Sequence, residues 1–341
     1  MMQSLEAISR EAVTPGRVYE ADRIGNLGFA DQVYESFKQG RTTPLATPHA
    51  PLSLDRVAEF NQNGFLVFDE PQISAAEIEW CRGIILRLFE RGAGLHDGRY
   101  IDLSEKTGGG GGITPSLFRP SFYAPELSKW PFREVCLAIA KQLLGPDAEL
   151  AADNTVFKPR HVGGPTPFHQ DEAFNNTMRY HRQVTIWIAM FDTTPDNGAM
   201  SFIPGSHHLG VLQHRLFGGA SAANSYECFS GFDPSAARIC PIPAGGMTIH
   251  HGCTIHGAGG NSSDSNRLGY IFNYKTPPVP RPELGEFHWN GTAALATRNG
   301  RRPWLLRGGM IPELLRFLRS DRDNKRYFLD RLRERVGRWR R

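Results

Sequence analysis

The stretch from Glu149 to Thr276 constrains the fold most, because short alternating segments there are separated by Gly, Pro, Asn and Asp. Six segments are predicted as β-strands, namely Leu150–Lys158, Val184–Phe191, Met200–Ile203, Arg238–Ile242, Met247–His251 and Arg267–Thr276. Short, closely spaced antiparallel strands predict a mainly β fold, a cupin-like jelly roll or double-stranded β-helix. The open mouth of such a fold is a usual place for a ligand.

The sequence before these strands has helical periodicity instead. Three helices are predicted: from Ser53 to Asn63, after the capping box that starts at Ser74, and after Pro131. One strand, Gly64–Asp69, lies between the first two helices. We expect the helices to pack against the outside of one sheet.

Three segments are predicted along the chain. Residues 1–52 contain little periodicity and form an irregular N-terminal arm, and residues 53–276 form the jelly-roll domain with its helices. Residues 277–341 are a basic helical extension that begins with the stiff, proline-rich linker Pro277–Pro282. A length of 341 residues does not require a second domain, because β-sandwiches and barrels of this size are often single units.

The formal charge of +4 is unevenly distributed. From Arg298 to the end there are fifteen Lys/Arg against five Asp/Glu, so the preceding 297 residues carry a net charge of −6. A basic segment of this kind can bind nucleic acid. Because apolar residues interleave the charges at helical spacing, we instead predict solvated helices and no nucleic-acid partner.

Five consecutive glycines occupy Gly108 to Gly112. Glycine loses more backbone entropy on ordering than any other residue, so the run predicts a mobile loop rather than a helix or strand. The Lys-Ser/Thr of a phosphate-binding loop is missing, which argues against a nucleotide site. A lid that orders over substrate is the alternative interpretation.

The cysteines and the hydropathy of the chain indicate the cellular compartment of the protein. The five cysteines are scattered and form no Cys-x-x-Cys pair, which favours free thiols in a reducing compartment over disulfides or a zinc site. The N-terminus lacks an apolar core of signal-peptide length, and no segment is long enough to span a bilayer. These features predict a soluble cytoplasmic protein with no membrane partner, and they leave the oligomeric state open.

The segment Thr166-Pro-Phe-His-Gln-Asp-Glu-Ala-Phe174 contains a metal-binding pattern. His169 and Asp171 lie two residues apart, and alternate side chains of an extended strand leave the same face, so both can contact one ion. His256 is available as a third ligand. Two imidazoles and one carboxylate, with the remaining positions open, are the facial triad of non-haem Fe(II) oxygenases.

Other residues near this pattern compete with it or complement it. His250 and His251 are rival ligands, but His251 can replace His256 only through a change of strand register. Gln170 should point away from the ion, because it lies between two ligands on a strand. Arg267, eleven residues after His256, opens a further strand where its planar guanidinium can bind a carboxylate.

Further motifs surround these residues, and in chain order the full set is Lys158-Pro159, Thr166-Pro-Phe-His-Gln-Asp171, Trp187, Asn197-Gly198, Ile203-Pro-Gly-Ser-His207, His256, Asn261 and Arg267. Their order and spacing resemble the phytanoyl-CoA dioxygenase family of Fe(II)/2-oxoglutarate oxygenases over about residues 55–276. Phe168 stands where the family often has Trp.

The resemblance implies the cofactors and the roles of individual residues. It implies Fe(II) with three protein ligands, His169, Asp171 and His256. It also implies 2-oxoglutarate as co-substrate and O2 as oxidant, with Arg267 binding the far carboxylate of 2-oxoglutarate. Asn154 and Trp187 align with positions that line the co-substrate pocket, although an indole in an alternating strand is also typical of a core.

The expected activity is hydroxylation of an aliphatic carbon in a small molecule, secondary metabolites included, with release of succinate and CO2. Desaturation, epimerisation and ring formation would use the same residues and stay open as outcomes. Two other classes compete: a cupin-like metal protein without 2-oxo acid chemistry, against which Arg267 argues, and a nucleic-acid binder acting through the basic tail. The sequence does not identify the substrate, since fold and triad are shared across unrelated chemistries.

Overall fold

The computed structural model describes residues 52–103, 112–175, 179–217 and 225–280, which all belong to one compact unit. The N-terminal arm, most of the glycine run and the basic extension lie outside the described residues, so what was predicted for them stays a prediction. All five cysteines are buried free thiols, as predicted. In the part of the chain described, no helix has the length and apolar character needed to cross a membrane.

Capping residues determine where the first two helices begin and end. Helix α1 spans Leu54–Asn63, starts at Ser53, whose Oγ accepts a backbone N–H at 3.3 Å, and ends at Gly64 with φ 81°. Helix α2 spans Ala75–Glu90, and the hydroxyl of Ser74 accepts the N–H three residues later. Both predicted helices are confirmed.

Two further helices precede the jelly roll. They are α3, Pro120–Tyr123, and α4, Phe132–Leu144, with a 3₁₀ turn at Pro125–Lys129 between them. Helix α4 begins after Pro131, as predicted. Helix α3 and the turn were not predicted, because one turn is too short to show a helical period.

The described residues form two main antiparallel sheets. The strands are β1 Phe65–Phe68, β2 Tyr100–Asp102, β3 Pro115–Phe118, β4 Glu149–Lys158, β5 Thr166–His169, β6 Arg179–Tyr180, β7 Gln183–Ala189, β8 Met200–Phe202, β9 His214–Leu216, β10 Tyr226–Cys228, β11 Arg238–Cys240, β12 Met247–His251, β13 His256–Ala258, β14 Arg267–Lys275 and β15 Val279–Pro280. The larger sheet has the order β1-β12-β7-β14-β4-β3-β2, and the smaller has the order β11-β8-β13-β5. Two short ladders, β9 with β10 and β6 with β15, complete the described strands. This double sheet is the predicted jelly roll.

The predicted strands agree with the observed ones to within a few residues, and β12 has the predicted bounds. The strands that were not predicted, such as β2, β3, β6, β9 and β10, have only two to four residues. Such a length barely covers one alternation, so the sequence pattern cannot reveal it.

Alternation along the central strands gives the larger sheet two different faces. Its outer face packs against α2 and α4 through a large apolar cluster that includes Ile186, Ile188, Tyr270 and Phe272. Its inner face contributes to a smaller cluster between the sheets that includes Trp187, Ile271, Met200 and Phe202. The predicted packing of helices outside one sheet is confirmed. Polar residues on the inner face therefore lie between the sheets, where the mouth of the jelly roll admits a ligand.

Candidate metal centre and co-substrate pocket

Strand β5 and the turn after it carry the first two candidate ligands. The sequence predicted an extended strand through Asp171, but β5 ends at His169 and a 3₁₀ turn, Asp171–Phe174, follows. Beyond His169 the backbone N–H of Gln170 donates to Nε2 of His214 at 3.1 Å instead of to a neighbouring strand. The fully buried Gln170 side chain donates through Nε2 to two loop carbonyls, at 2.7 and 2.6 Å. The Gln170 backbone stays extended (φ −122°, ψ 132°), so His169 and Asp171 still converge while Gln170 points away, as predicted.

Strand β13 brings His256 next to this pair. His256 and His169 are cross-strand partners, and their ring centroids are 4.3 Å apart. Oδ1 of Asp171 lies 3.8 Å from Nε2 of His169 and 3.7 Å from Nε2 of His256. Two donors that each lie about 2.1 Å from one ion are at most about 4.2 Å apart, so these separations suit a shared metal. The three predicted residues thus form one potential metal-binding cluster.

The imidazole rings are oriented for metal binding. Nδ1 of His169 lies 2.8 Å from the carbonyl oxygen of Pro167, and Nδ1 of His256 lies 2.9 Å from that of Thr254. A carbonyl oxygen only accepts, so each Nδ1 carries the proton and each Nε2 presents its lone pair to the centre. This is the tautomer that metal binding through Nε2 requires, and the fold fixes it.

The protonation states also suit a metal. Burial lowers the pKa of His169, and it lowers that of His256 well below the usual value. Burial alone would raise the pKa of Asp171, but His256, His250 and His169 more than offset it and hold that pKa far below its usual range. Neutral imidazoles facing an ionised carboxylate are the ligand forms that bind Fe(II) without releasing protons.

The rival histidines have other partners. Nε2 of His250 lies 3.2 Å from the second carboxylate oxygen of Asp171, Oδ2, and Oγ1 of Thr185 lies 2.5 Å from the same oxygen. His251 accepts a backbone N–H at 3.0 Å through Nδ1, and its ring packs near His207 with centroids 5.6 Å apart. His251 therefore lies outside the candidate metal cluster.

Arg267 is a buried cation with no acidic partner in the described part of the chain. It is 1% exposed, its Nη2 contacts the sulfur of Met200 at 3.2 Å, and its Nε has no hydrogen-bond partner there. Burial lowers the pKa of Arg267 to about 9, so the guanidinium remains charged at neutral pH. Burying an unpaired charge costs several kcal/mol. The position therefore favours an anionic ligand.

The indole ring of Trp187 packs against the guanidinium of Arg267. The guanidinium carbon lies 4.3 Å from the centroid of the Trp187 ring, a cation–π contact. A Cβ at Gly269 would come within 2.2 Å of the indole nitrogen, so glycine is required at this point of β14. Trp187 is thus part of the inner apolar cluster and also a support for the candidate carboxylate-binding residue. Gly269 was not singled out in the sequence, although a glycine inside an alternating strand often marks such a close approach.

Asn154 and Lys158 both lie on β4, four residues apart. The side-chain amide of Asn154 is hydrogen-bonded to that of Asn273 at 2.9 Å. Lys158 is fully buried opposite Arg267 in the β4–β14 ladder, and its Nζ donates to two loop carbonyls at 2.8 and 2.7 Å. Burial and then the charge of Arg267 lower the pKa of Lys158 well below its usual value. The sequence motif Lys158-Pro159 contains Lys158 without indicating its burial, but its even spacing from Asn154 on one strand places both side chains on the same face.

Aromatic side chains lie beside the candidate metal centre. Phe174, at the end of the 3₁₀ turn, is 47% exposed, and its ring is edge-on to that of His169 with centroids 5.7 Å apart. The ring of Tyr226 on β10 packs against Phe174 at 4.7 Å. The half-exposed ring of Phe174, packed against the buried ring of Tyr226, offers apolar contact area to a substrate next to a candidate ligand.

A jelly roll with a donor set of two histidines and one carboxylate is characteristic of non-haem iron oxygenases. Residues 60–269, more than half of the chain, match the family model for phytanoyl-CoA dioxygenase, and the chain belongs to this family. Membership confirms the family that the sequence motifs resemble.

Individual relatives align over part of their length. Phytanoyl-CoA dioxygenase domain-containing protein 1 from Mus musculus is 38% identical over 119 residues, which is 34% of this chain and 40% of the relative. A probable alpha-ketoglutarate-dependent hypophosphite dioxygenase from Stutzerimonas stutzeri is 30% identical over 176 residues, 48% of this chain and 59% of the relative. The alignments thus span about half the length of these curated relatives.

Solved structures of low sequence identity share the fold. EvdO2 from Micromonospora carbonacea var. aurantiaca, complexed with 2-oxoglutarate, has a TM-score of 0.58 and 24% identity, covering 73% of this chain and 99% of its own. The carbocyclase SnoK from nogalamycin biosynthesis has a TM-score of 0.53 and 21% identity, covering 72% of this chain and 92% of its own. Both confirm the jelly-roll fold, and neither identifies the reaction of this chain.

Proposed function

We propose that the chain catalyses Fe(II)/2-oxoglutarate-dependent hydroxylation of an aliphatic carbon in a small molecule, with release of succinate and CO2. The observation that carries this proposal is Arg267, a buried guanidinium without an acidic partner among the described residues, on the strand that follows the candidate metal ligand His256. A metal protein without 2-oxo acid chemistry has no need for such a charge, since it costs stability unless an anion binds.

Each residue has a distinct task in the proposed reaction. His169, Asp171 and His256 would hold the iron. Iron and 2-oxoglutarate, when bound, supply the O2-activating chemistry of this class. Arg267 binds the far carboxylate of 2-oxoglutarate through its two-pronged guanidinium, a contact worth about 1.5–3 kcal/mol. Trp187 keeps that guanidinium in place.

Aromatic residues support a substrate with an apolar part. The rings of Phe174 and Tyr226 are in contact with each other, and Phe174 also contacts the candidate ligand His169. The exposed part of Phe174 offers an apolar surface on which a carbon–hydrogen bond can be held close to the metal while water is displaced. Desaturation, epimerisation or ring formation would need the same surface, so the product has to be identified chemically.

Two measurements test the proposal. Anaerobic addition of Fe(II) and 2-oxoglutarate to the purified chain should produce a weak charge-transfer band in visible light, and a flat spectrum at saturation would favour a metal protein without 2-oxo acid chemistry. A screen of small molecules for stimulated succinate formation should then find the substrate class. Mass spectrometry of the product distinguishes a gain of one oxygen from a loss of two hydrogens or an isomer.

A further inference from the structure

The two oxygens of the Asp171 carboxylate have different surroundings. Oδ1 faces the Nε2 atoms of the two candidate imidazole ligands, at 3.8 and 3.7 Å. Oδ2 instead lies 2.5 Å from Oγ1 of Thr185 and 3.2 Å from Nε2 of His250. Oδ1 therefore faces the candidate metal position, whereas Oδ2 is hydrogen-bonded to Thr185 and His250.

The larger sheet presents Thr185 and His250 as a pair. They are cross-strand partners in the antiparallel ladder of β7 and β12. The Cβ atoms of such partners lie roughly 4.5–5.5 Å apart, so one carboxylate oxygen can lie between the two side chains and accept from both. Thr185 is 4% exposed and His250 is 1% exposed, which leaves little room for water to replace either donor.

The number of available protons determines which groups donate. An ionised carboxylate only accepts, so the Thr185 hydroxyl gives its single proton to Asp171, and His250 carries its proton on Nε2. Nδ1 of His250 is then buried without a hydrogen-bond partner in the described structure, an arrangement that costs free energy. The position of the His250 ring is therefore explained by the contact of Nε2 with Asp171. Among the described residues, Nδ1 makes no hydrogen bond that could hold the ring there.

The Thr185 hydroxyl also connects Asp171 to the candidate co-substrate pocket. Its oxygen lies 3.1 Å from the amide of Asn273, which in turn lies 2.9 Å from the amide of Asn154. Nδ2 of Asn273 donates to Oδ1 of Asn154, and Oδ1 of Asn273 is the atom that faces the Thr185 hydroxyl. Asn154 is the residue predicted to line the co-substrate pocket, so one continuous set of polar contacts reaches from there to Asp171.

We infer that Thr185 and His250 are positioning residues for the carboxylate ligand. They occupy Oδ2, so Asp171 binds the metal through Oδ1 alone and the coordination positions that 2-oxoglutarate and O2 require stay open. Without these two donors the carboxylate can rotate away from the ion or contact it with both oxygens. This inference rests on the proposed function, because it takes Asp171 as a ligand.

The test is a Co(II) titration of the metal-free, full-length chain without 2-oxoglutarate, followed by visible absorption. Thr185→Val removes the hydroxyl at nearly constant shape and should weaken Co(II) binding about tenfold. Thr185→Ser restores the donor and should bring the affinity back to within about threefold of wild type. If the valine variant does not fold, Thr185→Ala repeats the measurement with a smaller side chain.

Thr248→Val is the matched control. Thr248 is a buried threonine on β12, two residues from His250, and its hydroxyl has no partner in the described structure. The Thr248→Val variant should therefore bind Co(II) as tightly as the wild-type chain does. If Thr185→Val, in folded form, binds Co(II) as tightly as Thr248→Val does, the role of Thr185 is refuted.

His250 requires its own pair of variants. His250→Gln keeps an N–H donor near the position of Nε2, whereas His250→Leu removes it, so we expect near wild-type Co(II) affinity for the first and about tenfold weaker binding for the second. Equal weakening in both would overturn the role of His250 as a donor to Asp171. A wild-type chain that fails to bind Co(II) would instead overturn the proposed function, which separates the two failures.

Discussion

Replacing Arg267 by Met should make the ligand-free protein more stable while it weakens 2-oxoglutarate binding. In the folded chain the guanidinium is 1% exposed and has no acidic partner among the described residues. Methionine fills most of the same volume without a charge, and exchanging buried charges for apolar side chains of similar volume is often stabilising.

The magnitude follows from the pKa of Arg267. Burial lowers it from the ordinary value of an arginine to about 9. At 1.36 kcal/mol per pKa unit, this lowering corresponds to about 5 kcal/mol that disfavours the charged side chain in the folded state. The substitution also removes the cation–π contact with Trp187, worth about 2 kcal/mol when desolvated. We therefore expect the free energy of unfolding to rise by about 2–3 kcal/mol without ligand.

Co-substrate affinity should change in the opposite direction. Loss of a charged, two-pronged contact worth about 1.5–3 kcal/mol corresponds to roughly 10- to 150-fold weaker 2-oxoglutarate binding. The assay is urea unfolding with and without Mn(II) and 2-oxoglutarate, together with a titration of 2-oxoglutarate. Arg267→Lys is the control, because it keeps the charge but loses the planar fork. A methionine variant that is destabilised by more than about 1 kcal/mol and binds 2-oxoglutarate within about twofold of wild type would refute the reasoning.

Asp171→Ala should abolish substrate-dependent succinate formation and weaken metal binding, because two neutral imidazoles hold Fe(II) less tightly without the carboxylate; near wild-type turnover at saturating Fe(II) would remove Asp171 from the site. Phe174→Ala should raise the KM for an accepted substrate about tenfold and leave Fe(II) affinity unchanged, because it removes apolar contact worth about 1–2 kcal/mol. An unchanged KM would indicate that the substrate binds elsewhere. Burial lowers the pKa of His214 to about 4. As the pH falls, the His214 imidazole is therefore protonated in the unfolded chain before it is protonated in the folded one. The contribution of His214 to the free energy of unfolding is complete above pH 6.5, and about 3 kcal/mol of it is lost as the pH falls to 4. Urea unfolding at pH 7 and 5 should show a smaller loss in His214→Gln, and equal losses would contradict this.

Local sequence signals were sufficient for the longer elements. The capping residue Ser53 and the left-handed Gly64 delimit α1 because both act within one turn of the helix. Strand β12 has its predicted bounds because its alternation runs over five residues between turn residues. Strands of three residues, such as β9, are stabilised by pairing with a partner that the sequence pattern does not identify.

For the candidate metal ligands, the sequence spacing predicts one part of the arrangement and strand pairing decides the other. The two-residue spacing of His169 and Asp171 suffices to place them together, and it did so even though β5 ends before Asp171. Their partner His256 is 87 residues from His169 in sequence, and only the motif suggested it. Its position opposite His169 depends on the pairing of β5 with β13.

The sequence by itself determined the residue types of the metal site, because imidazole and carboxylate groups at strand spacing restrict which ion can bind and on which face. The tertiary structure alone decided which donors hold the Asp171 carboxylate and that Arg267 has no acidic partner among the described residues. Asp171 meets Thr185 and His250, which are 14 and 79 residues away, only because β7 and β12 pair and the turn after β5 lies over their inner face. The absence of an acidic partner for Arg267 among the described residues likewise depends on every element packed around it, and no local pattern in the sequence encodes that.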